Sequence, residues 1–379
     1  MEKNLHIVWS NVQYPASSEI LVDAFYKLVS LKQQGVNIYL HCFNDDNCEE
    51  DELKKYCVSV NYYKCTEGHK SISPKLPYII ASRKNEALLI NLLLNNYPIF
   101  MDGLNCTYLL NDERFANRKK FVRVHNVEYQ YYYDLYQSTT NPLKKIYYWR
   151  ESNLLKKYEQ FIVEKVTAFW GVTHKDVDFY KNKYACKTID YLSLYLPPNW
   201  EVKVLTGIGN YCLFQADFNI EANEKAAVWL LEKVFSKIKV PFVIAGNNPS
   251  EKLQRLAHSR LHTCLVINPS AKELQDMIAK AQINILPSYS NTGIQLSLIN
   301  ALFNGRHALV NTATVDGSGL EVLCHIANDA ETFIQFIEEL HEKPLKKTDI
   351  EVREKLLKNM FNNLANAQQQ IQWIWTDCA

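Results

Sequence analysis

Residues 211–248 read YCLFQADFNIEANEKAAVWLLEKVFSKIKVPFVIAGNN and carry the clearest fold signal in the chain. An apolar run at 211–215 is followed by an amphipathic pattern at 221–238, and a second apolar run follows at 242–245. A helix that bridges two short apolar strands is typical of a βαβ unit in a parallel sheet. This stretch therefore predicts an α/β domain that begins near residue 211.

The same alternation continues on both sides of this stretch. Before it, strands are predicted at 5–9, 36–43, 58–63, 98–101, 121–124, 167–171 and 187–192, and helices at 19–34, 76–95, 126–136, 142–164 and 174–183. After it, helices at 249–259, 270–281 and 293–304 alternate with strands at 265–267, 284–286 and 308–310, and helices at 330–341 and 350–375 follow. Prolines and glycines at 196–209 interrupt the alternation, as a linker does. We therefore predict doubly wound domains at 1–195 and 196–345 and a C-terminal helix at 346–379.

Charge and cysteine content argue against several classes of function. The 379 residues include 42 Lys plus Arg and 41 Asp plus Glu, a net charge of +1 that argues against a dedicated nucleic-acid binder. The ten cysteines form no C-x-x-C pair and show no zinc-ligand spacing, so we expect reduced thiols in a cytoplasmic protein, and no metal site. The first ten residues predict a strand and not a signal peptide, and no apolar run predicts a membrane span.

Ligands of doubly wound domains bind beyond the carboxyl ends of the strands. Polar residues follow the predicted strands at 10–13, 102–105, 125–126, 215–218, 246–248, 268–270 and 287–293. Two such domains that face each other would line a cleft with these segments. We therefore expect the functional site among them.

Several of these segments resemble one known family. FVRVHNVEY at 121–129 is similar to the acceptor-domain signature of glycosyltransferase family 4, whose members have the GT-B fold. IAGNN at 244–248, NILPS at 284–288, TGI at 292–294 and NALFNG at 300–305 resemble its donor domain. The resemblance covers nearly the whole chain and is closest to Bacteroidetes mannosyltransferase-like proteins.

The resemblance implies both a fold and a reaction. The fold would be α/β, with two Rossmann-like doubly wound domains facing a cleft and a C-terminal helix crossing back to the N-terminal domain. The protein would be a bacterial, retaining transferase of glycan biosynthesis. It would move a hexose, such as mannose, from a nucleotide-diphosphate sugar to a glycan or lipid-linked acceptor, with no cofactor beyond that co-substrate.

The resemblance also implies roles for individual residues. His125 would contact the donor sugar and the acceptor. Asp102 is a candidate for a different reason: it follows the predicted strand at 98–101, and an acid at that edge could orient an acceptor hydroxyl. The donor would be bound by residues of four segments: Gly246, Asn247, Asn268, Ser270, Thr292, Gly293, Ile294, Gln295 and Asn300. Gly293 is expected to open a helix whose backbone amides approach the diphosphate.

Several of these residues also have an ordinary structural interpretation. Asp102 and Gly103 form a common turn dipeptide. Ser270 and Glu273 have the spacing of a capping box, and Thr292 is a typical helix N-cap. A histidine after a strand is often structural. Both interpretations stay open at this stage.

The chain departs from the family pattern where donor charge would be bound. Thr292 and Asn300 stand where the family has two glutamates, and Asp217 lies where it has Arg and Lys. The first loop has Ser17-Ser18-Glu19 in place of glycines. These changes motivate a second hypothesis, a catalytically degenerate GT-B protein that serves as a binding or partner subunit. A nucleotide-sugar epimerase of the same fold is a third hypothesis, although its acids have no clear counterpart here.

Replacement charge and surface contacts complete the expectations. Arg306 and Lys272 are expected near the donor edge and could supply the missing positive charge. Residues 131–157 are rich in basic and aromatic side chains, which predicts either a helix packed on the sheet or peripheral contact with the inner face of the cell membrane. In the last helix, Trp373 and Trp375 could anchor the crossing back to the N-terminal domain.

Overall fold

The computed structural model describes residues 2–10, 19–43, 51–66, 68–198, 200–289 and 293–376. The chain divides into two compact units. Unit 1 comprises Met1–Tyr133, Ile146–Pro198 and Phe361–Ala379, and unit 2 comprises Asp134–Lys145 and Asn199–Met360. The C-terminal segment therefore belongs to the unit that the N-terminal half forms.

In the described part of unit 1, seven parallel strands form one sheet in the order β3-β2-β1-β4-β5-β6-β7. They are β1 (Lys3–Trp9), β2 (Val36–Phe43), β3 (Ser59–Tyr63), β4 (Ile99–Asp102), β5 (Lys120–Val124), β6 (Ala168–Gly171) and β7 (Ile189–Tyr191). The central strands β4 and β5 are buried along their whole length, as in parallel sheets covered on both faces. Each strand overlaps its predicted range.

In the described part of unit 2, six parallel strands form a second sheet in the order β10-β9-β8-β11-β12-β13. They are β8 (Cys212–Asp217), β9 (Phe242–Asn247), β10 (Thr263–Ile267), β11 (Ile283–Leu286), β12 (His307–Val310) and β13 (His325–Ile326). The strand order reverses at β8 and β11, as it does at β1 and β4 in unit 1. The short edge strand β13 is absent from the sequence prediction because two residues carry no periodicity.

The helices cover the sheets between successive strands. In chain order they are α1 (Glu19–Gln33), α2 (Asp51–Lys54), α3 (Tyr78–Ala81), α4 (Glu86–Leu93), α5 (Glu128–Ser138), α6 (Pro142–Ile162), α7 (His174–Tyr184), α8 (Glu221–Trp229), α9 (Glu251–His258), α10 (Ala271–Lys280), α11 (Leu296–Asn304), α12 (Thr312–Val315), α13 (Ala330–His341), α14 (Lys347–Met360) and α15 (Asn363–Trp375). A π-helical turn at Leu230–Val234 extends α8.

Two predicted helices are each broken into two. The predicted helix at 76–95 is α3 and α4, and Asn85 caps α4 by accepting a hydrogen bond from the amide of Leu88. The predicted helix at 350–375 is α14 and α15, and Asn362 caps α15 through the amide of Ala365. An asparagine side chain that bonds a backbone amide favours the start of a new helix. The prediction of single helices was therefore wrong at these two places.

The two C-terminal helices pack in different units. In unit 2, the buried Arg353 of α14 donates to the carbonyl oxygens of Gly305 and Arg306, at 2.8 and 2.6 Å. In unit 1, Ile374 of α15 is fully buried in the core, and the Trp373 ring stacks on that of Trp170 with centroids 5.5 Å apart. The last helix thus returns to the N-terminal unit, as predicted.

Two further observations concern the described residues alone. Their eight cysteines are free thiols. None of their helices is both long enough and apolar enough to cross a membrane.

Candidate functional site

The carboxyl ends of β1, β4 and β5 lie side by side in unit 1. Trp9, Asp102 and Arg123 pair across these three strands, and His125 follows directly after β5. A reversal of strand order, such as the one at β1 and β4, leaves a crevice at the carboxyl edge of a sheet. The structure therefore brings Asp102 and His125 together at the edge where ligands are expected.

The Asp102 carboxylate is buried among three polar contacts. Its Oδ1 lies 3.0 Å from Nε2 of His125, and the Lys27 ammonium donates to Oδ1 at 2.9 Å and to Oδ2 at 2.8 Å. Burial by itself would raise the pKa of Asp102, but Lys27 and His125 overcome that effect and hold the pKa well below its usual range. An anionic Asp102 only accepts hydrogen bonds, so Nε2 of His125 is the donor in this contact.

A second buried carboxylate, Asp23, completes this charge cluster. Asp23 Oδ2 lies 2.9 Å from Nζ of Lys27, one turn along α1, and Oδ1 lies 3.3 Å from Nη2 of Arg123. Arg123 also donates to the carbonyl oxygens of Leu192 and Ser193, at 2.6 and 2.9 Å. Burial would raise the pKa of Asp23, but Arg123 and Lys27 together lower it. Sequence analysis missed Asp23, Lys27 and Arg123 because charges on an amphipathic helix and in a strand give no local sign of pairing.

The cluster has the spacing of a cation site that side chains already fill. Asp23, Asp102 and His125 each offer a ligand atom within 4.8 Å of the others. Lys27 and Arg123 contact these carboxylates, so the two negative charges are matched by two positive ones. The arrangement is a neutral ion-pair network with the imidazole at its edge.

Glu128, at the start of α5, is linked to a second carboxyl group on α6. The fully buried Glu159 of α6 accepts the amide of Glu128 at 2.8 Å and the hydroxyl of Tyr184 at 2.8 Å. Burial raises the pKa of Glu159 to about 8 and that of Glu128 to about 7. This pair therefore holds protons near neutral pH.

A cavity of about 290 Å³ lies where α5 and α6 meet in unit 1; we call it the α5–α6 groove. It is lined by Tyr129, Gln130, Tyr133, Trp149, Ser152, Asn153 and Lys156. The Trp149 and Tyr133 side chains are 55% and 42% exposed. The α5–α6 groove therefore presents aromatic rings beside amide side chains.

In unit 2, the predicted residue Gly246 is explained by strand packing. A Cβ at this position would lie 1.9 Å from the carbonyl oxygen of Ala216 on the neighbouring strand. The glycine is thus required whether or not a ligand binds there. Asn247 is exposed at the end of β9, and its carbonyl oxygen accepts the amide of Phe218 at 3.1 Å.

Asn268 and Ser270 follow β10 at the same edge. Asn268 is exposed, has a left-handed φ of 52° and donates its amide to the carbonyl oxygen of Gly246 at 3.0 Å. Ser270 Oγ accepts the amide of Glu273 at 3.3 Å, and the Glu273 carboxylate accepts the amide of Ser270 at 2.8 Å. The capping box is therefore complete, and contact of Ser270 with a nucleotide stays a prediction.

The segment before α11 differs from its predicted form. Thr292 lies outside the described residues. Gly293 has a φ of 72°, in the left-handed region that favours glycine. Gln295 occupies the N-cap of α11, which begins at Leu296, so the expectation that Gly293 opens the helix was wrong. Gly293 and the buried Ile294 instead lead into a helix whose described first turn carries no acidic side chain.

Two asparagines shape the region around α11. Asn300 lies in the second turn, and its Oδ1 accepts the side-chain amide of Asn304 at 2.8 Å. Asn311 exchanges two hydrogen bonds with the backbone of Ser288, at 2.9 and 2.7 Å. The segments that follow β11 and β12 are thereby tied together.

Two residues of unit 2 differ from their expected roles, Gln215 and Arg306. Nε2 of Gln215, near the carboxyl end of β8, is buried and has no hydrogen-bond partner among the described residues. Such a group calls for a partner, for example a ligand. Arg306 precedes β12 at the opposite edge of the sheet and donates to the carbonyl oxygens of Ala279 and Ala281, so its predicted place near the donor edge was wrong. Lys272 is exposed in the first turn of α10.

Unit 2 also matches a known family. Residues 209–343 match the family model described as glycosyl transferases group 1. The match includes every strand of the second sheet and helix α11. Residues 209–343 of unit 2 are thus similar in sequence to group 1 glycosyl transferases.

Similar structures and sequences extend over nearly the whole chain. The glycosyltransferase from Rickettsia africae ESF-5 is 13% identical, with a TM-score of 0.66 and 99% of both chains covered. A TarM mutant from S. aureus, in complex with fondaparinux, alpha-GlcNAc-glycerol and UDP, is 9% identical, with a TM-score of 0.68 and 99% and 100% of the chains covered. An uncharacterized 44.6 kDa protein in the cps region of Klebsiella pneumoniae is 23% identical over 351 residues, 87% of this chain and 89% of that protein. The predicted fold of two Rossmann-like GT-B domains is confirmed.

Proposed function

We propose that the chain is a glycosyltransferase of the family 4 type, which moves a hexose from a nucleotide-diphosphate sugar to a hydroxyl group of a glycan or lipid-linked acceptor. The match of residues 209–343 to group 1 glycosyl transferases carries this proposal. The UDP in the TarM complex supports a nucleotide donor. Mannose as the hexose, retention at the anomeric carbon and a place in bacterial glycan biosynthesis rest on the resemblance of the sequence motifs.

The donor would be held by unit 2 through neutral hydrogen-bond donors. The N-terminus of α11 after Gln295 presents the positive end of a helix, and Gln215 offers a buried amide without a partner. Asn300 would reach the ribose, while Asn247 and Asn268 are exposed at the edge where the base is expected. Preorganised donors of this kind stabilise the charge of a leaving diphosphate.

Unit 1 would supply His125 and the surface that binds the acceptor. In the transfer, the acceptor oxygen bonds to the anomeric carbon, the bond from that carbon to the diphosphate breaks, and the acceptor proton passes to the leaving diphosphate. His125 would accept a hydrogen bond at Nδ1 from an acceptor hydroxyl and so orient the acceptor on unit 1. The aromatic and amide side chains of the α5–α6 groove would bind an acceptor sugar, and exposed Trp149 beside Lys156 also suits an acceptor at a membrane face.

The transferase function is tested by nucleotide release. The protein is incubated with UDP- and GDP-hexoses, with and without short oligosaccharide acceptors, and the nucleotide diphosphate is quantified. We expect one donor to be consumed, and we expect His125→Ala to lower kcat at least tenfold. His258→Ala, at an exposed histidine of α9, is the matched control and should keep full activity.

A degenerate partner subunit remains the second candidate function. Among the described residues of unit 2, the two positions after each strand hold no Lys or Arg. These positions therefore supply no positive charge for a donor diphosphate. A folded protein that consumes no donor, with or without acceptor, would contradict the transferase proposal and favour this subunit role.

A further inference from the structure

We propose that the solvent-exposed face of α6 binds the surface of an anionic lipid membrane. Sequence analysis left open whether residues 131–157 form a helix packed on the sheet or contact a membrane, and α6 has a face suited to each. The position of the charges on α6, their lack of acidic partners and the exposed apolar side chains beside them carry this inference. The binding itself does not depend on the transferase reaction.

The two faces of α6 differ in charge. Both acidic side chains of the helix, Glu151 and Glu159, are fully buried. Glu151 accepts the amide of Tyr78 at 2.6 Å, and Glu159 accepts that of Glu128 at 2.8 Å. The exposed lysines of α6 are Lys144, Lys145, Lys156 and Lys157. The exposed face of this helix therefore carries positive charge and no acidic side chain.

The lysines of α6 also differ from those of other helices in how they are paired. Elsewhere in the chain, exposed lysines pair with an acid one turn away, as in Lys225–Glu221, Lys280–Asp276 and Lys358–Glu354. The ion pair that α6 forms within the described structure is that of Arg150 with Glu151, and its four lysines pair with no described acid. A group of four or more basic side chains on such a helix face is typical of sites that bind anionic lipids, where each lysine contributes about fivefold to the affinity.

Apolar side chains share this exposed face. Ile146 and Trp149 are 65% and 55% exposed, and Asn153 and Lys156 follow them at helical spacings of four and three residues, so that all four lie on one side of α6. Lysines beside exposed tryptophan and aliphatic side chains are typical of helices that lie in a membrane interface. A nucleic acid would pair with the lysines but leave Ile146 in water, and the combination therefore favours a lipid surface.

The α5–α6 groove opens on the same face. Trp149, Asn153 and Lys156 line the groove and belong to the exposed side of α6. A membrane that contacts α6 would therefore place lipid headgroups at the groove. This consequence rests on the proposed function, and it favours a lipid-linked acceptor over a soluble glycan.

Sedimentation of the full chain with lipid vesicles tests the proposal. One set of vesicles is phosphatidylcholine alone, and the other contains phosphatidylcholine and phosphatidylglycerol in equal amounts. We expect the protein to sediment with the anionic vesicles and not with the neutral ones. The affinity should fall as salt is added, because ions screen the lysines from the headgroups.

Matched substitutions locate the binding face. We expect Lys156→Gln with Lys157→Gln to lower the affinity for anionic vesicles at least tenfold. The control, Lys280→Gln with Lys358→Gln, removes the same charge from paired lysines of unit 2 and should keep wild-type affinity. We also expect Ile146→Gln to weaken binding, whereas Leu261→Gln, at a fully exposed leucine of unit 2, should not. All these side chains are exposed, and the Tm of each variant checks that it folds.

Three results would overturn the proposal. They are failure to bind anionic vesicles, equal binding to both kinds of vesicle, and an equal loss of affinity in the two double variants. Binding to heparin but to neither kind of vesicle would identify a soluble polyanion as the partner and would overturn it as well. Vesicle binding needs no sugar donor, so a protein that consumes no donor would contradict the transferase function without altering this result.

Discussion

Nδ1 of His6 lies 2.9 Å from Nε2 of His41 at the centre of a buried hydrogen-bond chain across β1, β2 and β3. Asn95 Oδ1 can only accept, so Nε2 of His6 donates to it at 2.8 Å, and Nδ1 of His6 accepts from His41. Nδ1 of His41 then accepts the hydroxyl of Tyr63 at 2.8 Å, and Asn91 donates to that hydroxyl at 2.9 Å. When both imidazoles are neutral, each hydrogen bond of this network has one donor and one acceptor.

This hydrogen-bond network predicts that the folded protein loses stability in mild acid. Burial lowers the pKa of His6 to about 4 and that of His41 to about 3. In the unfolded chain both titrate near pH 6.5, so their contribution is full above that pH and is lost as the pH falls through the folded values. For His6 the loss is on the order of 3 kcal/mol.

The slope of unfolding free energy against pH measures this loss. The side-chain amide that replaces the imidazole in His41→Gln can still donate to His6. Between pH 4 and 6.5, we expect this variant to take up about one proton fewer on unfolding than the wild type does. The comparison uses urea titrations of both proteins at several pH values. An unchanged slope would show that His41 does not titrate as a buried neutral group.

The buried Glu159 predicts the opposite dependence of stability on pH, between about pH 4.5 and 8. Burial raises the pKa of Glu159 to about 8, whereas the unfolded carboxyl titrates near 4.5. The folded state therefore keeps a proton that the unfolded state loses, and stability falls as the pH rises from about 4.5 to 8, by an amount on the order of 5 kcal/mol. We expect Glu159→Gln to flatten this fall, as followed by thermal unfolding. Exposed Glu164→Gln is the control, and an equal change in both variants would contradict the prediction.

The return of α15 to unit 1 predicts a large cost for truncating its buried face. Ile374 is fully buried, whereas Leu364 on the same helix is 52% exposed. We expect Ile374→Ala to lower the free energy of unfolding by about 2–5 kcal/mol and Leu364→Ala to change it by about 0.5 kcal/mol or less. Urea unfolding of the two variants checks this, and equal effects would argue against packing of the helix through Ile374.

Local sequence pattern was sufficient to predict the alternation of strands and helices. The apolar run at β4 and the amphipathic pattern of α1 show which side chains are buried, and this pattern can be seen within a short segment of sequence. The same pattern failed at Asn85 and Asn362, where a side-chain cap restarts a helix inside a continuous amphipathic stretch. It also failed at Gly293. A glycine between a strand and a helix was expected to be the helix start, but Gly293 has a positive φ and α11 begins three residues later, at Leu296.

The partners of the candidate site were harder to predict than its position. Asp102 and His125 were placed because each follows a strand, and strand ends share one edge of a sheet. Lys27 and Arg123 were not, since their pairing depends on how α1 packs against β4 and β5. Gln215 lies in one of the strand-end segments expected at the site, but only the structure shows that its side-chain amide lacks a partner among the described residues.

The central claim is that unit 2 binds a nucleotide-diphosphate sugar, and thermal shift against UDP, GDP and their hexoses tests it most directly. A ligand at 100 times its Kd adds about 2.7 kcal/mol of stability. We predict a rise in Tm with one nucleotide family, a binding loss of at least tenfold in Gln215→Leu, and normal binding in the exposed control Gln335→Leu. Folded protein whose Tm none of these compounds raises would contradict the claim.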